Sequence, residues 1–249
     1  MLLLLFDEGT QERGEVVAAG CTQGITVSTL KEAEYFFAGG IDDILYAVGL
    51  SPNKFGSIIK LLQRGCRLTV ILDSLPMATQ LSEFAGARNT VVPVLIELDV
   101  DGHRAGMDPD GAELLAVAHT LHVAKGGALR GVMTHAGGSY GCTDRQSLLA
   151  AARQERDRSI GAAERIRAEG LPCPVVSVGS TPTALMIDDL SGVTEVRAGV
   201  YTLFDLVMAN IGVCSLDDIA LSVLVTVTGH QRERGLLITD GGWMALSRD

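Results

Sequence analysis

No Cys-x-x-Cys pair occurs in the 249 residues, and the five cysteines, Cys21, Cys66, Cys142, Cys173 and Cys214, are odd in number and scattered. That pattern excludes a disulfide framework and a zinc cluster, and fits free thiols in a reducing compartment. Basic charge is short: 20 Lys and Arg stand against 30 Asp and Glu, a net charge of −10. A partner with a phosphate backbone needs a basic surface, so nucleic acid is excluded. Long apolar runs are missing too. The opening MLLLLF, residues 1–6, is too short for a membrane span or a secretory core and lacks a basic flank. The expectation is a cytoplasmic protein with no membrane partner. Aromatics make up only 4%. No HExxH, GxSxG or P-loop pattern is present, which removes the commonest metalloprotease, hydrolase and nucleotide-binding signatures.

What the chain has is glycine (29), small aliphatics and a repeating strand–helix rhythm. Short runs apolar on both faces occupy 24–29, 42–48, 67–72, 91–98, 129–134, 174–178 and 195–203. Helical segments fall between them at 30–38, 53–64, 75–85, 110–124 and 144–168. Buried parallel strands joined through helices read this way. A closed barrel needs eight strands, and only residues 1–6 can supply the one not counted. The expected fold is therefore α/β, a TIM-type (β/α)8 barrel whose first strand is short or missing. After Asn210 the rhythm changes: 220–228 alternates apolar and polar, and 235–240 follows a short loop, which predicts antiparallel strands. The expected division is a barrel over 1–212 and, over 213–249, the start of a β-domain that stops at Asp249 without room to close. The dense charge run at 153–158, RQERDR, alternates sign and predicts a solvated helix face.

Candidate chemistry gathers where barrel strands end. The segment PVVSVGSTPT, residues 174–183, is a β-branched run that breaks at Gly179 into Ser180, Thr181 and Thr183 before a helix start. Glycine lets a ligand approach the backbone, and hydroxyls with helical N–H groups make an anion seat, phosphate above all. A plain Ser/Thr helix cap is the other reading of the same residues. As strand seven this turn falls in the usual phosphate place of a barrel, with Arg197-Ala198-Gly199-Val200-Tyr201 on the neighbouring strand. Gly199 would offer an N–H and Tyr201 a hydroxyl or a packing face. ELDVDGHR, with Glu97, Asp99, Asp101, His103 and Arg104, ends strand five. Its Arg104 either pairs with an Asp to hold the loop or faces an anionic or phenolic oxygen of a ring. His135 and Tyr140, in THAGGSY, end strand six beside two glycines, placed to contact a planar ligand. His119 and His122 lie within a helix and are expected to face solvent.

The ordered set GITVSTLKEAEYFFAGGIDDILYAV, ELDVDGHRAG, THAGGSY, VGSTPT, EVRAGVYTLFD and LITDGGWMALSRD resembles the D-threonine aldolase and D-serine dehydratase family. The resemblance covers about residues 20–249. It implies a pyridoxal-phosphate barrel of the alanine-racemase-like fold plus a β-domain, acting on a D-β-hydroxy amino acid, with a homodimer as a possible assembly. By the same resemblance Gly179, Ser180, Thr181 and Gly199 would hold the phosphate, and Tyr201 would sit close to it. Arg104 would lie near the ring hydroxyl, and His135 and Tyr140 would line the ring. The sequence departs from the family at its Schiff-base lysine. That place, at the end of strand one, holds Phe6-Asp7-Glu8-Gly9-Thr10, and the first lysine is Lys31. The family's zinc ligands would lie in the β-domain beyond Asp249. The sequence-based expectation is a truncated lyase-type protein, inactive as written. The alternative is a non-catalytic binder or carrier of pyridoxal phosphate. A barrel enzyme acting on a sugar phosphate through Asp99 or Asp101 is a third, weaker reading.

Overall fold

The computed structural model describes residues 2–5, 24–242 and 245. Eight strands form one closed barrel: β1 Leu2–Leu5, β2 Ile25–Val27, β3 Asp43–Tyr46, β4 Arg67–Leu72, β5 Val92–Leu98, β6 Gly127–Thr134, β7 Val175–Val178 and β8 Glu195–Ala198. Each strand pairs in parallel with the next, and β1 pairs with both β2 and β8. The short first strand anticipated from residues 1–6 closes the ring. Around it run α1 Leu30–Ala38, α2 Phe55–Gln63, α3 Leu75–Gly86, α4 Glu113–Val123, α5 Arg145–Ala168, α6 Thr181–Met186 and α7 Leu206–Asn210.

Local chemistry sets several of these boundaries. Thr29 and Glu32 form a capping box at the start of α1, and the Asp144 carboxylate accepts from Ser147 N to start α5. Period two along each strand sorts the apolar residues into two layers. Ile44, Leu68, Val70, Val94, Ile96, Val132 and Val176 belong to the large core cluster. Leu45, Ile71, Leu95 and Met133 form a smaller, separate one inside the barrel. Each fully buried Leu or Ile contributes about 1.5–3 kcal/mol, so the two layers carry most of the fold's stability.

One irregularity is built into β6. The register against β5 slips between Val94 and Leu95, which leaves Arg130 without a partner opposite it. Gly131 follows with φ +144°, and a Cβ there would stand 1.9 Å from the Val175 carbonyl oxygen. The bulge re-aims the rest of the strand, and only glycine permits so close a pass of β7.

Three sequence-based expectations change. Strand β8 ends at Ala198, and a 3-10 turn, Val200–Thr202, takes over where the apolar run continued to Leu203. In the C-terminal part, residues 220–226 are not a strand. The antiparallel pair is β9 Val227–Gln231 with β10 Leu236–Thr239. Both strands are exposed along most of their length, including Leu237 and Ile238. The charge run 153–158 is not a uniform solvated face. Arg153 bonds Asp188 and Arg156 bonds Asp189, while Gln154 and Arg158 both donate to the Val100 carbonyl. Glu155 is buried. His119 and His122 are exposed, as expected.

Gly131→Ala should cost about 3 kcal/mol, from the unfavourable φ together with the clash on Val175. That corresponds to a fall of about 6–12 °C in the thermal midpoint for a domain of this size. Gly161→Ala is the contrast: a Cβ on this α5 glycine meets nothing within 4 Å, so the substitution should stabilise the helix by about 0.5–1 kcal/mol. Calorimetry of both variants checks the pair.

Candidate active site

Because every barrel strand runs the same way, all the strand exits open on one rim. The turns after β5, β6, β7 and β8 carry Arg104, His135, Tyr140, the Gly179–Thr181 turn, Gly199 and Tyr201. The loop after β5 is an excursion closed at its base, where Met107 N donates to Glu97 O and Asp99 N to Met107 O. Asp99 accepts from Gly102 N at 2.8 Å, and Asp101 accepts from Gly138 N at 2.8 Å. These carboxylates hold the loop through main-chain N–H groups. The alternative of an Arg104–Asp ion pair is not what fixes it. Arg104 instead runs over Gly137, where a Cβ would come within 2.7 Å of the Arg104 stem. Its guanidinium is exposed at the mouth, close enough to His135, Tyr140 and Glu97 to influence their charge states.

His135 and Tyr140 stack, ring centroids 5.9 Å apart and planes 19° from parallel. Burial pushes the His135 imidazole down to about 3, with Arg197 and Arg104 adding to the effect and a hydrogen bond to the Gly179 main chain opposing it. The imidazole is therefore neutral at ordinary pH. Burial raises the Tyr140 phenol. The pair makes a flat, uncharged wall.

The turns after β7 and β8 meet directly. Thr181 Oγ1 accepts from Gly199 N at 3.2 Å. Gly179, φ +131°, presses on β8: a Cβ would lie 2.1 Å from the Arg197 carbonyl oxygen. Ser180 is the N-cap of α6 in a capping box with Thr183, and its hydroxyl also meets Ser139 Oγ at 3.0 Å. The cap reading thus describes Ser180, which is 1% exposed. The Gly199 N–H, expected to face a phosphate, is engaged by Thr181. A hydroxyl that accepts one bond keeps its own hydrogen, so Thr181 retains a donor. Tyr201, in the turn Val200–Thr202, packs against the large core cluster.

Glu155 escaped sequence reasoning, and Arg197 and Glu97 were named there without the roles that the structure gives them. Arg197, fully buried, reaches from β8 to Ser177 Oγ, the Thr134 carbonyl and the Gly179 carbonyl. Among the described residues its Nε has no hydrogen-bond partner, and neither has the buried Glu97 Oε2. Glu97, Glu155 and Glu195 surround the Arg197 charge, while burial alone pulls its pKa down. Burial raises Glu97, and Asp73 raises it further. Glu155 Oε1 accepts from both Ala136 N and Gly179 N. An Arg in a run otherwise read as a buried strand was the available signal for Arg197. The charge run hid Glu155. Among the described residues no group of three His, Cys, Asp or Glu side chains is set to hold a metal ion. Phe6 to Thr10, the place of the family's lysine, lie outside the described residues, and Lys31 is exposed in the first turn of α1.

A closed parallel barrel whose polar rim spans the exits of β5 to β8 places the chain among the TIM-type (β/α)8 barrels. The family described as alanine racemase, N-terminal domain, matches residues 9–206, and the chain belongs to it. A D-threo-3-hydroxyaspartate dehydratase of Delftia sp. (strain HT23) is 55% identical over 233 residues, 93% of this chain and 61% of that protein. A D-serine dehydratase of Dictyostelium discoideum is 31% identical over 242 residues, 92% of this chain and 60% of that protein. The solved structure of the Delftia sp. HT23 dehydratase matches with a TM-score of 0.93 at 52% identity, over 100% of this chain and 66% of that one. The chain spans about three-fifths of the length of the curated relatives it matches.

His135 gives the site a measurable pH signature. An unfolded histidine titrates near 6.5, whereas the native ring resists protonation down to about 3. Between those values the unfolded chain binds the extra proton, so this contribution is fully present above about pH 6.5 and is lost as pH falls. The raised carboxyls of Glu97 and Glu155 act in the opposite direction but are shared with a His135→Asn variant. The stability difference, wild type minus variant, should therefore shrink below pH 6.5 by up to about 1.4 kcal/mol per pH unit. Urea unfolding from pH 4.5 to 7.5 checks it, and a level difference would contradict a buried neutral ring.

Proposed function

We propose that this chain binds pyridoxal phosphate on the rim after β5 to β8, as a lyase-type member of its family directed at D-β-hydroxy amino acids. One observation carries the reading. The rim brings a flat neutral ring wall, His135 on Tyr140, next to a hydroxyl turn, Ser180-Thr181, with the buried Arg197 beneath both. A ligand that joins an aromatic ring to a phosphate matches that order. Arg197 Nε and Glu97 Oε2, which find no partner among the described residues, support it, because buried polar atoms are seldom left without partners. The 55% identity to a D-threo-3-hydroxyaspartate dehydratase supports the substrate class.

Bound pyridoxal phosphate supplies an electron sink for reactions at the α-carbon of an amino acid. The chain's own residues would do the rest. Thr181 would give its free hydroxyl hydrogen to a phosphate oxygen, and Ser180 would hold the turn rigid through its cap. Arg197 would set a positive potential beneath the rim, tempered by Glu97, Glu155 and Glu195. Arg104, free to swing at the mouth over Gly137, would face the ring hydroxyl or the substrate carboxylate. His135 would pack against the ring without competing for its protons.

A second reading keeps the ligand and drops the chemistry: a binder or carrier. What favours it is the absence of any lysine before Lys31, which is itself exposed. On this reading pyridoxal phosphate would be held without a covalent bond.

Titration with pyridoxal phosphate should show micromolar binding that weakens about tenfold on Thr181→Val, the loss of one hydrogen bond to a charged group. Borohydride should fix no pyridoxyl label on the chain. A label found by peptide mapping would restore the lyase chemistry and remove the carrier reading. Turnover of D-threo-3-hydroxyaspartate or D-serine without a label would contradict both. No binding at all would end the cofactor assignment.

A further inference from the structure

The main-chain ladder between β6 and β7 ends at Met133 and Ser177. Beyond it the two strands exit into different turns, yet those turns hold one another closely. Glu155, 2% exposed on the inner face of α5, supplies the first half of the reason. Its Oε1 accepts from Ala136 N at 3.0 Å and from Gly179 N at 3.1 Å, and Thr183 bonds the same carboxylate. The second half comes from the opposite side of the sheet. Arg197 donates to the Thr134 carbonyl and, at 3.4 Å, to the Gly179 carbonyl. The same two stretches of backbone are thus gripped twice, their N–H groups by a buried carboxyl group on the helix side and their C=O groups by a buried guanidinium in the lumen. Each charge orients peptide dipoles that the other also orients, and each offsets the cost of burying its counterpart.

We infer that Glu155 is a positioning residue: with Arg197 opposite, it fixes the exits of β6 and β7 relative to one another. The His135–Tyr140 wall rides on one exit and the Ser180–Thr181 turn on the other. On the pyridoxal phosphate reading, on which the ligand part of this inference rests, the clamp sets the span between ring wall and phosphate turn. A ligand with ring and phosphate joined by a short linker needs that span held.

Glu155→Gln tests it, since glutamine keeps the shape and one acceptor oxygen while removing the charge. Hydrogen exchange at Ala136 and Gly179, followed by NMR on the full chain, should become about tenfold faster at both amides together, as charge-assisted bonds become neutral ones. Exchange in α4 should not move. Pyridoxal phosphate and inorganic phosphate are then titrated separately. The variant should lose about tenfold in affinity for pyridoxal phosphate and little for inorganic phosphate, which touches one exit only. General loosening of the fold would weaken both alike. Glu155→Asp, which keeps the charge but withdraws it by one methylene, should give the same paired acceleration and serves where the glutamine variant does not fold. Unchanged exchange at either amide overturns the clamp. Faster exchange with equal losses for both ligands overturns its role in spacing. A wild-type chain that binds no pyridoxal phosphate sinks the functional reading, and the exchange measurement still decides the clamp.

Discussion

Parallel strands closed into a ring have no free choice about where their exits go. Once β1 pairs with both β2 and β8, every turn that follows a strand lies on the same rim. Residues far apart in sequence, Arg104, His135, Ser180 and Gly199, meet there because of strand direction alone. The opposite rim carries the helix-to-strand returns, such as Gly126 packed on Ser82 between α4 and β6, and serves packing. Chemistry and stability are thereby divided between the two ends of one barrel.

The interior is not a purely apolar filling. Leu45, Ile71, Leu95 and Met133 form its apolar part, and Ser177, Glu195, Arg197 and Glu97 stand beside them in one electrostatic neighbourhood. Burying a guanidinium there is tolerable because its bonds run to main-chain carbonyls and a serine, and because carboxylates flank it. Electrostatics in such a dry layer are strong, so the protonation states of His135 and Tyr140 are governed by the rim itself and little by bulk solvent.

Much of this was legible beforehand, for a physical reason. Buried parallel strands must be apolar on both faces, and seven such runs stood out between helical stretches. The β4 run was read to its true ends, Arg67–Leu72. The short β1 was foreseeable only because a barrel cannot close without it. In the C-terminal pair the second strand falls within 235–240 as read, but the first was misplaced since alternation alone cannot fix register: 220–226 alternates well but has no strand opposite among the described residues, and the pairing begins at Val227. Within the site, glycines and hydroxyls announced the turns after β7 and β8. What stayed hidden was the work of charges whose partners are main-chain atoms. Nothing near Glu155 in sequence tells that its carboxylate reaches Ala136 and Gly179, 19 and 24 residues away. The same blindness made the Gly199 N–H look available when Thr181 holds it.

A grip on backbone atoms reads no side chain. The hooks on Ala136 and Gly179 require an N–H at each position and a glycine at the second, and ask nothing of their neighbours. His135, Tyr140 and Thr181 are therefore placed by a device indifferent to what they are. A scaffold of that kind lets the residues facing a substrate be exchanged while the seats they occupy stay put, so new specificities can be tried one side chain at a time without rebuilding the pocket.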